Sequence, residues 1–383
     1  MAEQRSSQLD ALRALGLAGV IFQHTMNPKN ALLADWPALA LTMFFVLSGF
    51  LITGLLLDAR SRAEARSISR AGVLKRFYIR RFLRIFPVYY GVVFIALLMG
   101  EPETRGYLNY LLSYTTNFLL ANVGHNLPPI TPFWSLAVEE HFYIFWPFIA
   151  LFASRRMMWT SATLMVVISV ASRGIASFNG ANYTQATMPT YASLDGIAIG
   201  CMLAIAYRDM TAEAREPWIK RAVVFGGAVV LIRMAMMIDG GYNDWVNTIH
   251  AFPFALVTVW LIDRGSRGVL PTFLNSRVLG GMGITTYTGY IVHRYVMHFL
   301  GYDGERGLHV FFPVLLVTYV IAAVSWVCIE GPINSLKRFW PYVPRLGTAV
   351  PGAGLVAIPQ GFVVALPGSL AGAQAIAEAA PIP

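Results

Sequence analysis

Apolar runs of about 20 residues, the length one helix needs to cross a bilayer, recur along this chain and are separated by polar, glycine or proline punctuation. They lie at 9–27, 38–57, 82–100, 134–153, 157–176, 190–207, 221–238, 246–262, 284–301 and 309–329. No other feature limits the fold as severely. Of the 383 residues, 56% are hydrophobic and only 13% charged, and the mean hydropathy is +0.56, the balance of a membrane protein. The expected fold is all-α: a polytopic membrane protein of about ten transmembrane helices. The run from Tyr107 to Leu120 is shorter and more polar, and reads as a helix lying at the interface.

Basic residues orient the helices. The connection 58–81 holds Arg60, Arg62, Arg66, Arg70, Lys75, Arg76, Arg80 and Arg81, and every second connection after it is also basic, whereas the alternate ones carry only Lys29, Arg105, Arg173 and Arg306. By the positive-inside rule the basic loops and both termini are cytoplasmic. The net charge of +9 then reflects topology, and no nucleic-acid partner is expected. Asp10 and Arg13 interrupt the first run, which speaks against a cleaved leader. Residues 1–345 form the membrane domain, and 346–383 an Ala/Gly/Pro-rich tail expected to be loosely ordered. Cys201 and Cys328 both sit in apolar runs, so neither a disulfide framework nor a metal site is expected.

An ionisable group within the bilayer needs a partner or a task. In LDALRALGLAGVIFQHTMNP, Asp10, Arg13 and His24 fall within an arc of about 60° at 3.6 residues per turn. His24 lies about 22 Å along this helix, which leaves roughly 8 Å to the outer boundary of a 30 Å core. In TPFWSLAVEEHFYIFWP, Thr131 is placed to cap a helix and Pro132 to open it, so Glu139 lies about 10 Å below the same boundary. Equal depth suggests an imidazole beside a carboxylate, the arrangement of a general base; the competing reading is a polar cluster that only binds helices together. His141, on another face, reads as structural. In RFYIRRFLRIFPVYY, Arg80 and Arg84 are spaced i,i+4 and Arg81 and Arg84 i,i+3 on the cytoplasmic side. These guanidinium groups, with the aromatic mouth Phe86-Pro87-Val88-Tyr89-Tyr90, suit a nucleotide's phosphates and base, although a positive-inside flank would account for about half of the arginines.

LDALRALGLAGVIFQH, FFVLSGFLITGLLL, RFYIRRFLRIFPVYY, FWSLAVEEHFYIFWP, LDGIAIGCMLA, TYTGYIVH and IEGP follow one another in this order over residues 7–340. The series resembles the bacterial acyltransferase family 3. The resemblance implies a ten-span inner-membrane enzyme that moves an acyl group, often acetyl, from cytoplasmic acyl-coenzyme A to a hydroxyl of an extracytoplasmic or lipid-linked glycan. It implies no permanently bound cofactor, with acetyl-coenzyme A the expected donor. Arg13, His24 and Glu139 would form the catalytic set, while Arg80, Arg81, Arg84 and Tyr89 would hold the donor. The chain departs from the pattern at Ser193, where an arginine often stands two residues before the aspartate of LDGIAIG; this leaves the role of Asp195 open. No esterase-like domain is expected to follow, and a second processing step is expected to need another protein. A multi-pass transporter or flippase is the alternative, but a transporter would string its buried charges across the membrane.

Overall fold

The computed structural model of the chain describes residues 7–26, 36–211, 213–221 and 269–343, with isolated positions between 224 and 258. These residues are helical throughout, without a strand among them, and those up to Pro341 form one compact unit. The runs read at 221–238 and 246–262 lie largely outside the described residues, as does the tail 346–383.

Three long helices come first: α1 (Ser7–Thr25), α2 (Trp36–Glu64) and α3 (Arg70–Leu98). Short pieces α4 (Pro102–Gly106), α5 (Leu108–Leu112) and α6 (Thr116–Val123) follow, then α7 (Phe133–Phe152), α8 (Arg155–Phe178), α9 (Tyr183–Thr187) and α10 (Thr190–Asp209). The last group is α11 (Val269–Leu274), α12 (Arg277–Ile284), α13 (Thr286–Phe299) and α14 (Leu308–Ser325); α14 runs through a π-helical turn, Trp326–Glu330, into α15 (Gly331–Ser335). The wide turn lies two to six residues before Pro332, whose ring nitrogen has no hydrogen to return to the ladder, and this loosens the helix there.

Five of the described stretches are long and apolar enough to cross a membrane: Ala40–Glu64, Arg70–Leu98, Arg155–Phe178, Thr190–Asp209 and Leu308–Phe339. α1 and α7 match two further runs of the sequence, and the polar residues they carry, Asp10, Arg13 and His24 in one and Glu139, Glu140 and His141 in the other, keep them out of that group. The interfacial stretch differs from the single helix expected. It is broken at Tyr114, whose φ of 54° is left-handed and costly for a residue with a Cβ. Tyr114 is held there by stacking on Tyr89, with ring centres 4.1 Å apart.

Helices in lipid gain little from hydrophobic burial against one another, so small residues that let backbones touch decide where they pack. α2 and α10 use this device. A Cβ added at Gly200 would lie 2.2 Å from the Val46 carbonyl oxygen, and one at Gly49 would lie 1.9 Å from that of Ile197. Around this seam Val46, Phe50, Ile199 and Leu203 form a buried cluster. Gly200→Val should therefore force the two helices apart and destabilise the protein by about 1–3 kcal/mol, read as a fall in thermal midpoint in detergent. Gly91→Ala is the control, because its added carbon meets nothing within 4 Å; equal midpoints for the two variants would show that the close seam is unimportant.

Candidate active site

Glu139 projects from the first half of α7. The helix begins at Phe133, and Pro132 already has helical angles, φ −59° and ψ −20°. Thr131 does not supply the cap expected of it: its hydroxyl is buried without a partner. The turn is closed by the backbone instead, with Thr131 N–H donating to Leu127 O (2.9 Å) and Trp134 N–H to Thr131 O (3.2 Å).

Both oxygens of the Glu139 carboxylate are engaged. Ser48 Oγ of α2 donates to Oε1 at 2.7 Å, and the Tyr143 hydroxyl, one turn further along α7, donates to Oε2 at 3.0 Å. Arg81 of α3 lies against the same tyrosine, its Cζ 5.2 Å from the ring centre, and 5.5 Å from the centre of Phe77. Ser48, Arg81, Glu139 and Tyr143 thus bring three helices to one polar cluster.

His24 belongs to a second cluster. Its imidazole stacks on that of His293 from α13, with ring centres 5.3 Å apart and planes inclined by 30°. His293 Nδ1–H donates to Tyr290 O at 2.7 Å; a carbonyl can only accept, so Nε2 is left as a bare lone pair. It is buried and has no hydrogen-bond partner. At the same end of α1, Gly307 N–H donates to Thr25 O (2.8 Å), which ties the helix to the loop after α13.

The direct contact between His24 and Glu139 that equal depth suggested is not made. The two clusters are joined through Tyr290, whose hydroxyl shares a 2.7 Å hydrogen bond with Ser135 Oγ, one turn before Glu139 on α7. Residue counts along two helices fix height and leave each side chain's direction around its helix open. Arg13 pairs with Asp10 of its own helix at 3.0 Å.

The arginines of α3 diverge. Arg80 Nη1 donates to the carbonyls of Lys337 (2.9 Å) and Trp340 (3.4 Å), Arg81 turns to Tyr143, and Arg84 sits in the field of Glu330. Glu330, at the end of the π turn, accepts from Thr288 Oγ1 at 2.5 Å and from Ser325 Oγ at 3.4 Å. Tyr89 is fully buried, and its hydroxyl donates to Leu111 O at 2.8 Å, which fixes α5 against α3. His141 bonds Thr190 Oγ1 at 2.6 Å and stacks on Phe118, so it joins α7 to α10.

The residue that sequence reasoning missed is Arg173. Only 2% of its surface is exposed, and its guanidinium donates to Asp195 Oδ2 at 2.7 Å, to Thr248 Oγ1 at 2.5 Å and to Ala192 O. The aspartate that lacks an arginine two residues before it therefore receives one from α8. The signal was present, since Arg173 stands inside an apolar run.

At the α13 end of the bundle, α4 is capped by Glu101, which accepts from the amides of Glu103 (3.1 Å) and Thr104 (2.5 Å). Burial opposes charge on Glu101, but hydrogen bonds from Glu103, from Thr104 and from these amides hold its carboxyl below the ordinary range. Glu103 is raised, first by the hydrogen bond it shares with Glu101 and then by burial.

These features define a membrane protein with polar groups gathered between the helices of an apolar bundle. The profile of an acyltransferase domain, that of acyltransferase family 3, matches residues 6–329, and the chain belongs to that family. A protein of Staphylococcus aureus strain MRSA252, whose name places it provisionally among the O-acetyltransferases, is 26% identical over 378 residues, which is 88% of this chain and 59% of that one. The O-acetyltransferase OatA of Staphylococcus aureus strain NCTC 8325 / PS 47 is 25% identical over 354 residues, 85% of this chain and 57% of that one. The chain thus spans less than two thirds of the length of these relatives. No solved structure matches it.

Arg173 and Asp195 give a test of packing. Arg173→Met should leave a buried carboxylate uncompensated and cost about 3–5 kcal/mol, whereas Arg173→Met with Asp195→Leu should recover much of the loss. Thermal unfolding in detergent reads both, and a double variant no more stable than the single one would mean that the pair is not a self-contained ion pair.

Proposed function

We propose that the protein is an O-acyltransferase that moves an acyl group, acetyl above all, from cytoplasmic acyl-coenzyme A to a hydroxyl of an extracytoplasmic or lipid-linked carbohydrate. In this reading the chain crosses the bacterial inner membrane ten times with both termini in the cytoplasm. The observation that carries it is the pair of linked clusters: a stacked His24–His293 pair with a bare ring nitrogen, and a Glu139 carboxylate tied through Tyr143 to Arg81. Family membership supports the same reading, and the O-acetyltransferase names of the relatives support the acetyl group.

Each residue then has a role. The phosphates of coenzyme A bind at the cytoplasmic half of α3, where Arg80 and Arg84 lie about 40° apart around the helix. Glu139 balances the charge of Arg81 and fixes Tyr143, which shapes the passage of the pantetheine arm. Arg13 is held by Asp10 and lines α1. His24 takes the proton as the acceptor oxygen adds to the thioester carbonyl. The carbon–sulfur bond breaks, and the coenzyme thiolate leaves and recovers a proton. His24 keeps this role without a carboxylate neighbour, because stacking on His293 fixes its ring.

Removing a positioned general base typically lowers the rate about 10²- to 10⁴-fold. His24→Ala should do this to acetyl transfer in membranes while insertion remains normal; transfer at the parent rate would remove His24 from the mechanism. Glu139→Gln keeps the shape and a hydrogen-bond acceptor but loses the charge facing Arg81, and should lower kcat with little change in acyl-coenzyme A binding.

Changing Arg80 and Arg84 together to Ala should raise the apparent KM for acyl-coenzyme A and leave that for the acceptor nearly unchanged. Equal weakening of both substrates would reduce these arginines to a topology signal and an anchor for the carbonyls of Lys337 and Trp340.

A further inference from the structure

Two buried arginines of this chain meet opposite fates. Arg173 is matched by a carboxylate, a hydroxyl and a carbonyl. Arg294 of α13 is 9% exposed and has no carboxylate partner among the described residues: its one hydrogen bond runs from Nη1 to the thioether of Met297, at 3.5 Å. Its Nε is buried with no partner, as is that of Arg173, so the missing carboxylate is what sets Arg294 apart. A guanidinium stays charged at any accessible pH, and an unpaired buried charge is among the costliest features a fold can retain. Such a group is explained by a partner that arrives from outside.

The place for that partner is next to it. Arg294 lines a cavity of about 250 Å³ together with Glu103, His298, Asp303 and Arg306. Arg306 is an exposed cation at the rim, its Nη1 bonded to the neighbouring Glu305 carbonyl at 2.7 Å. Asp303 is bonded to His298, and Glu103 shares its hydrogen bond with Glu101; Asp303 is near enough to attract Arg294, but neither acid is bonded to it. The volume is slightly below the roughly 300 Å³ at which pockets for drug-sized ligands begin, and suits one sugar unit better than an extended chain. Arg294 follows His293 directly in α13, so the residue that lines the cavity is the chain neighbour of the one that stacks on His24, although neither imidazole lines the cavity itself.

We propose that this cavity is the acceptor site, and that it takes a sugar bearing an acidic group, carboxylate or phosphate, which pairs with the Arg294 guanidinium while a hydroxyl of the same sugar turns toward His24. The proposal rests on the transferase reading for the word acceptor; the anion-binding site itself does not. Arg306 draws the anion in from the rim, and Arg294 fixes it by charge-assisted, two-pronged hydrogen bonds. A neutral sugar would leave the buried guanidinium unpaired and should bind more weakly.

The test is equilibrium binding to the full-length protein in lipid nanodiscs with no acyl donor present, using glucuronate, glucose 1-phosphate and glucose as probes in titration calorimetry. At least one acidic probe should bind about tenfold or more tightly than glucose. Glucuronate alone would identify a carboxylate sugar, and glucose 1-phosphate alone a phosphate-linked one. Arg294→Gln should abolish the preference, Arg294→Lys should retain part of it, and Arg306→Gln should weaken it less. Equal affinity of the unaltered protein for all three probes overturns the proposal even if a variant fails to fold, as does a preference that survives in folded Arg294→Gln. Binding of acidic sugars by a protein that never consumes acetyl-coenzyme A would sink the transferase reading and leave the site standing. Transfer to neutral sugars with no preference in binding would do the reverse.

Discussion

A polar side chain among membrane helices has no water to fall back on, and in this protein the helix that answers that demand is α13. Its residues reach neighbours in several directions within two turns. Tyr287 donates to Ile85 O of α3 at 3.2 Å, Thr288 bonds Glu330 beyond α14, Tyr290 bonds Ser135 of α7, and His293 stacks on His24 of α1. The three hydrogen bonds each satisfy a group that would otherwise be stranded in apolar surroundings. Because they come from one short helix, the four neighbours are placed relative to one another by a single rigid element. The site inherits its geometry from this arrangement, since α13 lies between the imidazole pair and the carboxylate cluster.

Much of this was legible in the sequence. Eight of the ten hydrophobic runs fall on described helices, because length and hydropathy follow directly from the thickness of the bilayer. The polar residues singled out, His24, Glu139 and Arg81, do occupy clusters, because burying them without a reason is costly. Their pairing was not legible. Counting residues gives depth; whether Glu139 faces His24 or Ser48 depends on the rotation of α7 against α2, which contacts such as the hydrogen bond from Trp146 Nε1 of α7 to Thr53 Oγ1 of α2 help to set. Tyr89 shows the same limit: its motif suggested a place beside a nucleotide, and packing against Tyr114 and Leu111 fills its surroundings. Arg173 was counted as a loop charge although it is 2% exposed, since composition by segment does not tell which residues of a helix end turn inward.

Arg173, Arg294 and the part-buried Arg13 suggest how charges inside the bundle divide between architecture and chemistry. Arg173 and Arg13 each have a carboxylate within 3.0 Å, and a closed ion pair has little left to offer a ligand. Arg294 and His293 are consecutive in the chain, both nearly inaccessible, and each keeps a nitrogen with no partner. Unsatisfied donors and acceptors are rare in buried positions because each carries a desolvation penalty. Two on adjacent residues, one an obligate donor and one an obligate acceptor, form a pair of opposite hydrogen-bonding character. The acidic sugar proposed above would complement both at once: its acid would accept from the guanidinium and one hydroxyl would donate to the His293 imidazole while another faces His24. Either residue alone would be a packing flaw, whereas the two together would, in the proposed acceptor site, match the chemistry of the acidic sugar.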